Sequence, residues 1–166
     1  MRRGNDLDNV DRQILALLEE DARRPNSEIA RIVDLSPVTV AERIGRLRDI
    51  GVISKFTIKV DPAKIGYETA AMVRFEPSST YHGESVRIVA SHPAVRACYK
   101  VTGDSLLMLL VRVRNSAELN SVLVEFNQYG HTHTSVILTS ELDERPWFAP
   151  GWTDPLLALT RRTRGY

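Results

Sequence analysis

The apolar residues of this chain change their spacing near residue 55, and that change limits the folds open to it. From Asp8 to Gly51 they recur every three to four positions, the period of helices with one buried face. Val10, Ile14, Leu17 and Leu18 share a face over residues 8–21, behind Asp8 as a suitable N-cap. Arg24-Pro25-Asn26 interrupts the pattern, and Asn26 is expected to cap a second helix ending near Val33. Ser36 is expected to cap a third, with Pro37 in its first turn, where the missing N–H costs nothing. Val40, Ile44 and Leu47 are its buried stripe, and Gly51 stops it. From Lys55 to Val60 polar and apolar residues alternate, which predicts a half-buried strand. Asp61-Pro62 and Gly66 then signal a connection.

Beyond residue 66 the order is strand, helix, strand, twice over. The first unit spans 67–76, 81–91 and 94–102. The second has a strand over 105–113, a helix opened by Asn115 with Glu118 as a capping box and ended by Gly130, and a strand over 132–142. Two such units make a four-stranded antiparallel sheet with both helices on one face. The strand 105–113 is apolar on both parities, so the open face is expected to take a partner, for which an identical subunit suffices. The expected fold is α+β: a winged helix-turn-helix over 1–60, a linker over 61–66, a ferredoxin-like βαββαβ sandwich over 67–142 and a tail over 143–166. The tail holds Trp147 and Trp152, which suggests a latch, and a short helix over 156–162.

Composition removes several classes. The longest uninterrupted aliphatic run, Leu106 to Val111, is six residues, far short of the roughly 20 that span a bilayer. The basic start, Met1-Arg2-Arg3, has no apolar stretch behind it, so no secretory signal is expected. Cys98 is the only cysteine, which suits a reducing compartment, and a cytoplasmic protein is expected. The net charge is +1, from 22 Lys+Arg against 21 Asp+Glu, which excludes bulk attraction to nucleic acid but not a local basic face. That face exists in the sequence: residues 1–22 carry a net −3, and residues 23–60 a net +4.

The basic segment holds the motif that carries function. Helix two, a short connection and helix three make a helix-turn-helix, whose last helix can enter a major groove. Its core stripe leaves Pro37, Val38, Thr39, Glu42, Arg43 and Arg46 outside. Arg43 and Arg46 could take a guanine edge or hold a phosphate. Ser36 and the helix amino end can bind a backbone phosphate, and Lys55 and Lys59 on the expected strand would touch the flanking backbone like a wing.

The chain resembles the Lrp/AsnC (feast/famine) family of prokaryotic transcription regulators. The resemblance rests on Leu7-Asp8, Asp11 and Ile14-Leu15, on Leu35-Ser36-Pro37, Val40, Arg43-Ile44, Leu47 and Gly51-Val52-Ile53, and on Asp61-Pro62 and Gly66. It continues through Val101-Thr102-Gly103-Asp104 and Thr132, Thr134 and Val136-Ile137-Leu138. It implies double-stranded DNA as partner, a C-terminal domain that forms dimers and larger, often octameric, homo-oligomers, and a small effector, commonly an amino acid, held between subunits. Carried onto this chain, the effector residues would be Gly103, Asp104, Ser105, Leu106, Thr132 and Thr134. No catalytic residue, metal or cofactor is expected. The chain departs from the family at Asp34, where the turn has glycine, and at His131, usually aliphatic. It departs also at Leu106, where the effector loop has aspartate, and in its longer tail.

Other readings are weaker. His131 and His133 fall on one strand face, and with His82 or His92 could suggest a metal site, but no thiolate or carboxylate completes it. Cys98 beside Tyr99 reads as a packed thiol. The alternative function is a ferredoxin-like small-molecule enzyme or cofactor-handling protein with a vestigial helix-turn-helix. It lacks paired carboxylates, a phosphate-cradling loop or a triad.

Overall fold

The computed structural model describes residues 7–78, 82–102, 107–142 and 146–148, with the His82 side chain left out. The described chain divides into two compact units. One runs to Ile58 and is rejoined from Leu142; the other covers Lys59 to Glu141. The expected linker over 61–66 lies just inside the second unit, as a turn of 3-10 helix, Ala63–Ile65, closed by Gly66 at φ +88°.

The first unit is three helices: α1 (Asn9–Glu20), α2 (Asn26–Val33) and α3 (Pro37–Asp49). Asp8 caps α1 in a reciprocal capping box with Asp11. Ser36 caps α3, its Oγ accepting from the Thr39 N–H at 3.0 Å. Asn26 is not a cap. Pro25 holds the N-cap position in an extended conformation and its carbonyl accepts from Glu28 and Ile29, so Asn26 becomes the first helical residue. Ile14, Ile29, Ala30, Val33 and Val40 form one core. Between α2 and α3, Asp34 sits at φ +54°, the one non-glycine positive φ among the described residues. Aspartate tolerates this geometry and so replaces the usual turn glycine.

The expected strand over 55–60 does not form. The segment has no ladder partner among the described residues, and Phe56, Ile58 and Val60 are exposed. Alternation supplies the side chains of a strand, but a strand also needs a neighbouring edge for its N–H and C=O groups.

The second unit has the elements β1 (Thr69–Pro77), α4 (His82–Ser91), β2 (Val95–Lys100), β3 (Leu107–Val113), α5 (Ser116–Phe126) and β4 (Gly130–Ile137). The strands pair antiparallel in the order β2-β3-β1-β4, the ferredoxin-like arrangement. Both helices pack on one face: Val89, Leu119, Val122 and Phe126 meet Ala71, Val73, Phe75, Leu109 and Val111 in a single core. Phe126 lies edge-on to Phe75 and His92, with centroids at 6.4 and 5.2 Å. Asn115 caps α5, but Glu118 accepts from the Arg114 N–H rather than from that of Asn115.

Gly130 opens β4 rather than closing α5, and β4 ends at Ile137 rather than 142. Its partner dictates both limits, since Ala70 to Pro77 pair with Ile137 to Gly130. A Cβ on Gly130 would lie 2.2 Å from the Glu76 carbonyl oxygen and 2.9 Å from the Phe75 ring. Gly130→Ala is therefore expected to destabilise the protein by about 1–3 kcal/mol, read as a lower urea midpoint at unchanged slope.

Candidate nucleic-acid interface

Asp11 falls on the same α1 stripe as Ile14 and Leu15, and all three are buried. A carboxylate in an apolar stripe must find charged or hydrogen-bonded partners. It finds them on α3. Arg43 Nη1 donates to Asp11 Oδ1 at 2.8 Å and to Asp8 Oδ2 at 2.7 Å, and Arg46 Nη2 donates to Asp11 Oδ2. The Asp8 N–H donates to Asp11 Oδ2 at 3.3 Å and the Asp11 N–H to Asp8 Oδ1 at 2.7 Å. The Asp11 side chain is 0% exposed, against 28% for Arg43 and 47% for Arg46.

These bonds revise the reading of the two arginines as free outward cations. Arg43 is committed to two carboxylates, which raise its pKa, Asp8 contributing most. Arg46 gives one guanidinium nitrogen to Asp11 and keeps about half its surface exposed. Their sequence signal was the Asp8-Asp11 pair, three apart, with the second residue on an apolar stripe.

The other expected DNA contacts are more open. Ser36, Pro37 and Glu42 are exposed and Thr39 half-buried at the amino half of α3, with the Ser36 and Thr39 hydroxyls bonded to each other at 2.8 Å. Lys55 is exposed, but on irregular chain rather than a wing strand. Arg31 on α2 and Arg48 on α3, which sequence reasoning passed over, are exposed and carry no ion pair among the described residues. Arg24 is taken up by Glu20 and Glu28.

In the second unit, Gly103, Asp104, Ser105 and Leu106 lie outside the described residues. Thr132 donates from both its N–H and its hydroxyl to Asn127 Oδ1, at 3.1 and 2.9 Å. Thr134 stands opposite Val73 on the helix-covered side of the sheet. His131, His133 and Ser135 share the other side, with Arg74 and Glu76, and His133 Nε2 lies 3.7 Å from Glu76 Oε1. His92 is spent locally on Ala94 and Glu125. No group of three metal-binding side chains occurs among the described residues. Cys98 packs against the core, and burial pushes its thiol pKa up, which suppresses the thiolate.

The tail returns to the first unit. The N–H groups of Trp147 and Phe148 donate to the Glu19 carboxylate of α1, at 3.1 and 2.6 Å. Trp152 and the expected helix over 156–162 lie outside the described residues.

Two outcomes follow for the clamp. Asp11→Ala would remove the buried carboxylate that ties α3 to α1, leaving two partly exposed arginines, and is expected to cost about 1–3 kcal/mol of stability, measured by thermal or urea unfolding. Asp8 has a pKa below its ordinary 3.8, first through the Asp11 N–H and then through Arg43. The stability it adds is complete above that value and is lost as pH falls through the lowered one. Asp8→Asn keeps a capping side chain, so its melting temperature should fall less steeply than the parent's below pH 3.8.

Comparison with known proteins agrees with this architecture. Residues 7–48 match the AsnC-type helix-turn-helix domain and residues 70–147 the Lrp/AsnC ligand binding domain. The HTH-type transcriptional regulator FL11 of Pyrococcus horikoshii is 34% identical over 135 residues, 80% of this chain and 89% of its own. The regulator AldR of Mycolicibacterium smegmatis is 36% identical over 126 residues, 74% of each. Escherichia coli AsnC superposes with a TM-score of 0.77 at 26% identity, covering 84% of this chain and 97% of its own. A feast or famine regulatory protein of M. tuberculosis, solved with L-methionine, superposes at 0.78 and 28% identity, covering 86% of this chain and 99% of its own. Relatives of this kind are transcription regulators, and no described helix is long and apolar enough to cross a membrane. The chain is a DNA-binding transcription regulator with a ligand-binding domain, and it belongs to the Lrp/AsnC family.

Proposed function

We propose that the protein is a sequence-specific, effector-responsive regulator that acts as a homo-oligomer. The observation that carries this reading is the outer face of α3. Its amino end is capped by Ser36 and exposed at Pro37 and Glu42, and exposed cations stand at Arg31, Arg48 and Lys55. Laid in a major groove, α3 would bring Thr39 and Glu42 to base edges. Ser36, the free amides beside it and the cations would hold phosphates. Arg46 serves through its exposed edge, and Arg43 serves by holding the helix. Two such units in a dimer would meet half-sites about 34 Å apart, or a multiple of that.

A second copy of the chain is the partner that suits the open face of the sheet. Met72, Met108, Leu110 and Tyr99 share that face by register, uncovered by α4 and α5. The effector is a small molecule of the amino-acid class, the class of the methionine in the M. tuberculosis relative. Its pocket would draw on Gly103 to Leu106 and on Thr134; Thr132 is already engaged by Asn127. Leu106 offers no carboxylate to an ammonium group, so an apolar side chain on the effector is favoured there. The reading requires no cofactor. An effector would shift the assembly only by binding one packing arrangement better than another.

The experiment is fluorescence anisotropy on duplex DNA from upstream of the protein's own gene, over a salt series and with an amino-acid panel. Affinity should fall steeply with salt, and Arg31→Gln or Lys55→Gln, each removing one phosphate contact per protomer, should reduce the log–log salt slope of a bound dimer by about 2 without moving the melting temperature. Salt-independent binding, or no binding at low salt, would sink the reading.

A further inference from the structure

With Arg43 drawn to Asp8 and Asp11, and Arg46 to Asp11, the stripe at the centre of the outward face of α3 carries no cation. Val38, Ala41, Glu42 and Gly45 are spaced i, i+3, i+4 and i+7, so they form one stripe. It lies away from Val40 and Leu47, which are fully buried. Val38 is 67% exposed, and Ala41 and Glu42 are exposed beside it. Glu42 carries no ion pair among the described residues. Gly45 has ordinary helical backbone, and a Cβ built on it meets nothing within 4 Å. Nothing inside this unit therefore requires glycine there, although glycine weakens a helix interior relative to alanine. Exposed Arg46 and Arg48 lie on either side of the stripe.

We infer that this stripe is the base-reading surface. Val38 meets a thymine methyl, Glu42 accepts from a cytosine amino group, and Gly45 lets the helix backbone come close to the groove wall. The chemistry follows from the groove. The thymine C5-methyl is its one apolar feature, and the cytosine N4 amino group is a donor that a carboxylate matches. An arginine-led reader would seek guanine edges. This stripe has no free guanidinium at its centre, and its apolar and acidic groups select T and C in the strand they face. A helix that must bring a backbone near the bases gains from a missing Cβ in the middle of its face. The flanking arginines then hold the phosphates on the two sides.

The inference rests on α3 entering the groove, so the test separates the two. Duplexes are selected by the wild-type protein from a randomised pool, and each thymine is replaced in turn by uracil, which removes only the methyl group. At one thymine per half-site the replacement should weaken wild-type binding about fourfold, the worth of one buried methyl. Val38→Ala should abolish that difference. Repeating the selection with Glu42→Ala should relax one cytosine position that the wild type prefers by about tenfold or more. Gly45→Ala should raise the melting temperature yet lower affinity for the selected duplex, a pair of opposite changes that a purely structural role would not give. Indifference to every uracil overturns the inference, as do unchanged selected sequences from the variants. The uracil arm uses unaltered protein, so a poorly folded variant cannot rescue the idea. Salt-dependent binding of random duplex with no enriched sequence also overturns it while leaving DNA binding intact; loss of all duplex binding removes both.

Discussion

The buried carboxylate of Asp11 organises the DNA-binding unit. Asp11 is fully withdrawn from water and held by Arg43 and Arg46 of α3, and by the Asp8 backbone at the start of α1. A charge in that position is costly unless every lone pair is met, so α1 and α3 are tied at one relative placement. The tie sits beside a small core of Ile14, Ile29, Ala30, Val33 and Val40. Eight residues of α2 and thirteen of α3 bury little area by themselves. A directional ion pair adds orientation that a small apolar cluster supplies weakly.

The same tie redistributes the unit's charge. Residues 23–60 look basic in the sequence, with a net +4. Arg24, Arg43 and Arg46 are each bonded to acids of α1 or α2. The cations left to meet phosphate are spread over α2, α3 and the following segment, at Arg31, Arg48, Lys55 and the exposed edge of Arg46. Spread cations follow a backbone that curves around a groove, whereas cations clustered on one helix face would fix on a single point. The base-facing stripe is consequently small and partly apolar.

The two patterns of alternation met different fates. Residues 55–60 alternate but join no ladder among the described residues, whereas β1 alternates and is paired on both sides. In the sheet, β3 has alternately buried and half-buried residues because the helices cover one face only. Met72, Met108 and Leu110 lie on the other face, the open face that the apolar run of 105–113 predicts.

Local chemistry was legible in the residues themselves. The caps at Asp8, Ser36 and Asn115 and the strand–helix–strand order could all be read along the chain, because each depends on neighbours within a few positions. The ferredoxin-like topology followed from that order, and the family from the resemblance carried by motifs such as Leu35-Ser36-Pro37 and Gly51-Val52-Ile53. Tertiary structure alone decided where Arg43 and Arg46 point, since their partners lie 32 to 35 residues away in the chain. It decided too that 55–60 is not a strand, that β4 ends where β1 begins, and that Thr132 is occupied by Asn127. Each of these turns on a hydrogen bond or ion pair whose second partner must first be brought near, and spacing within one segment carries no record of that partner.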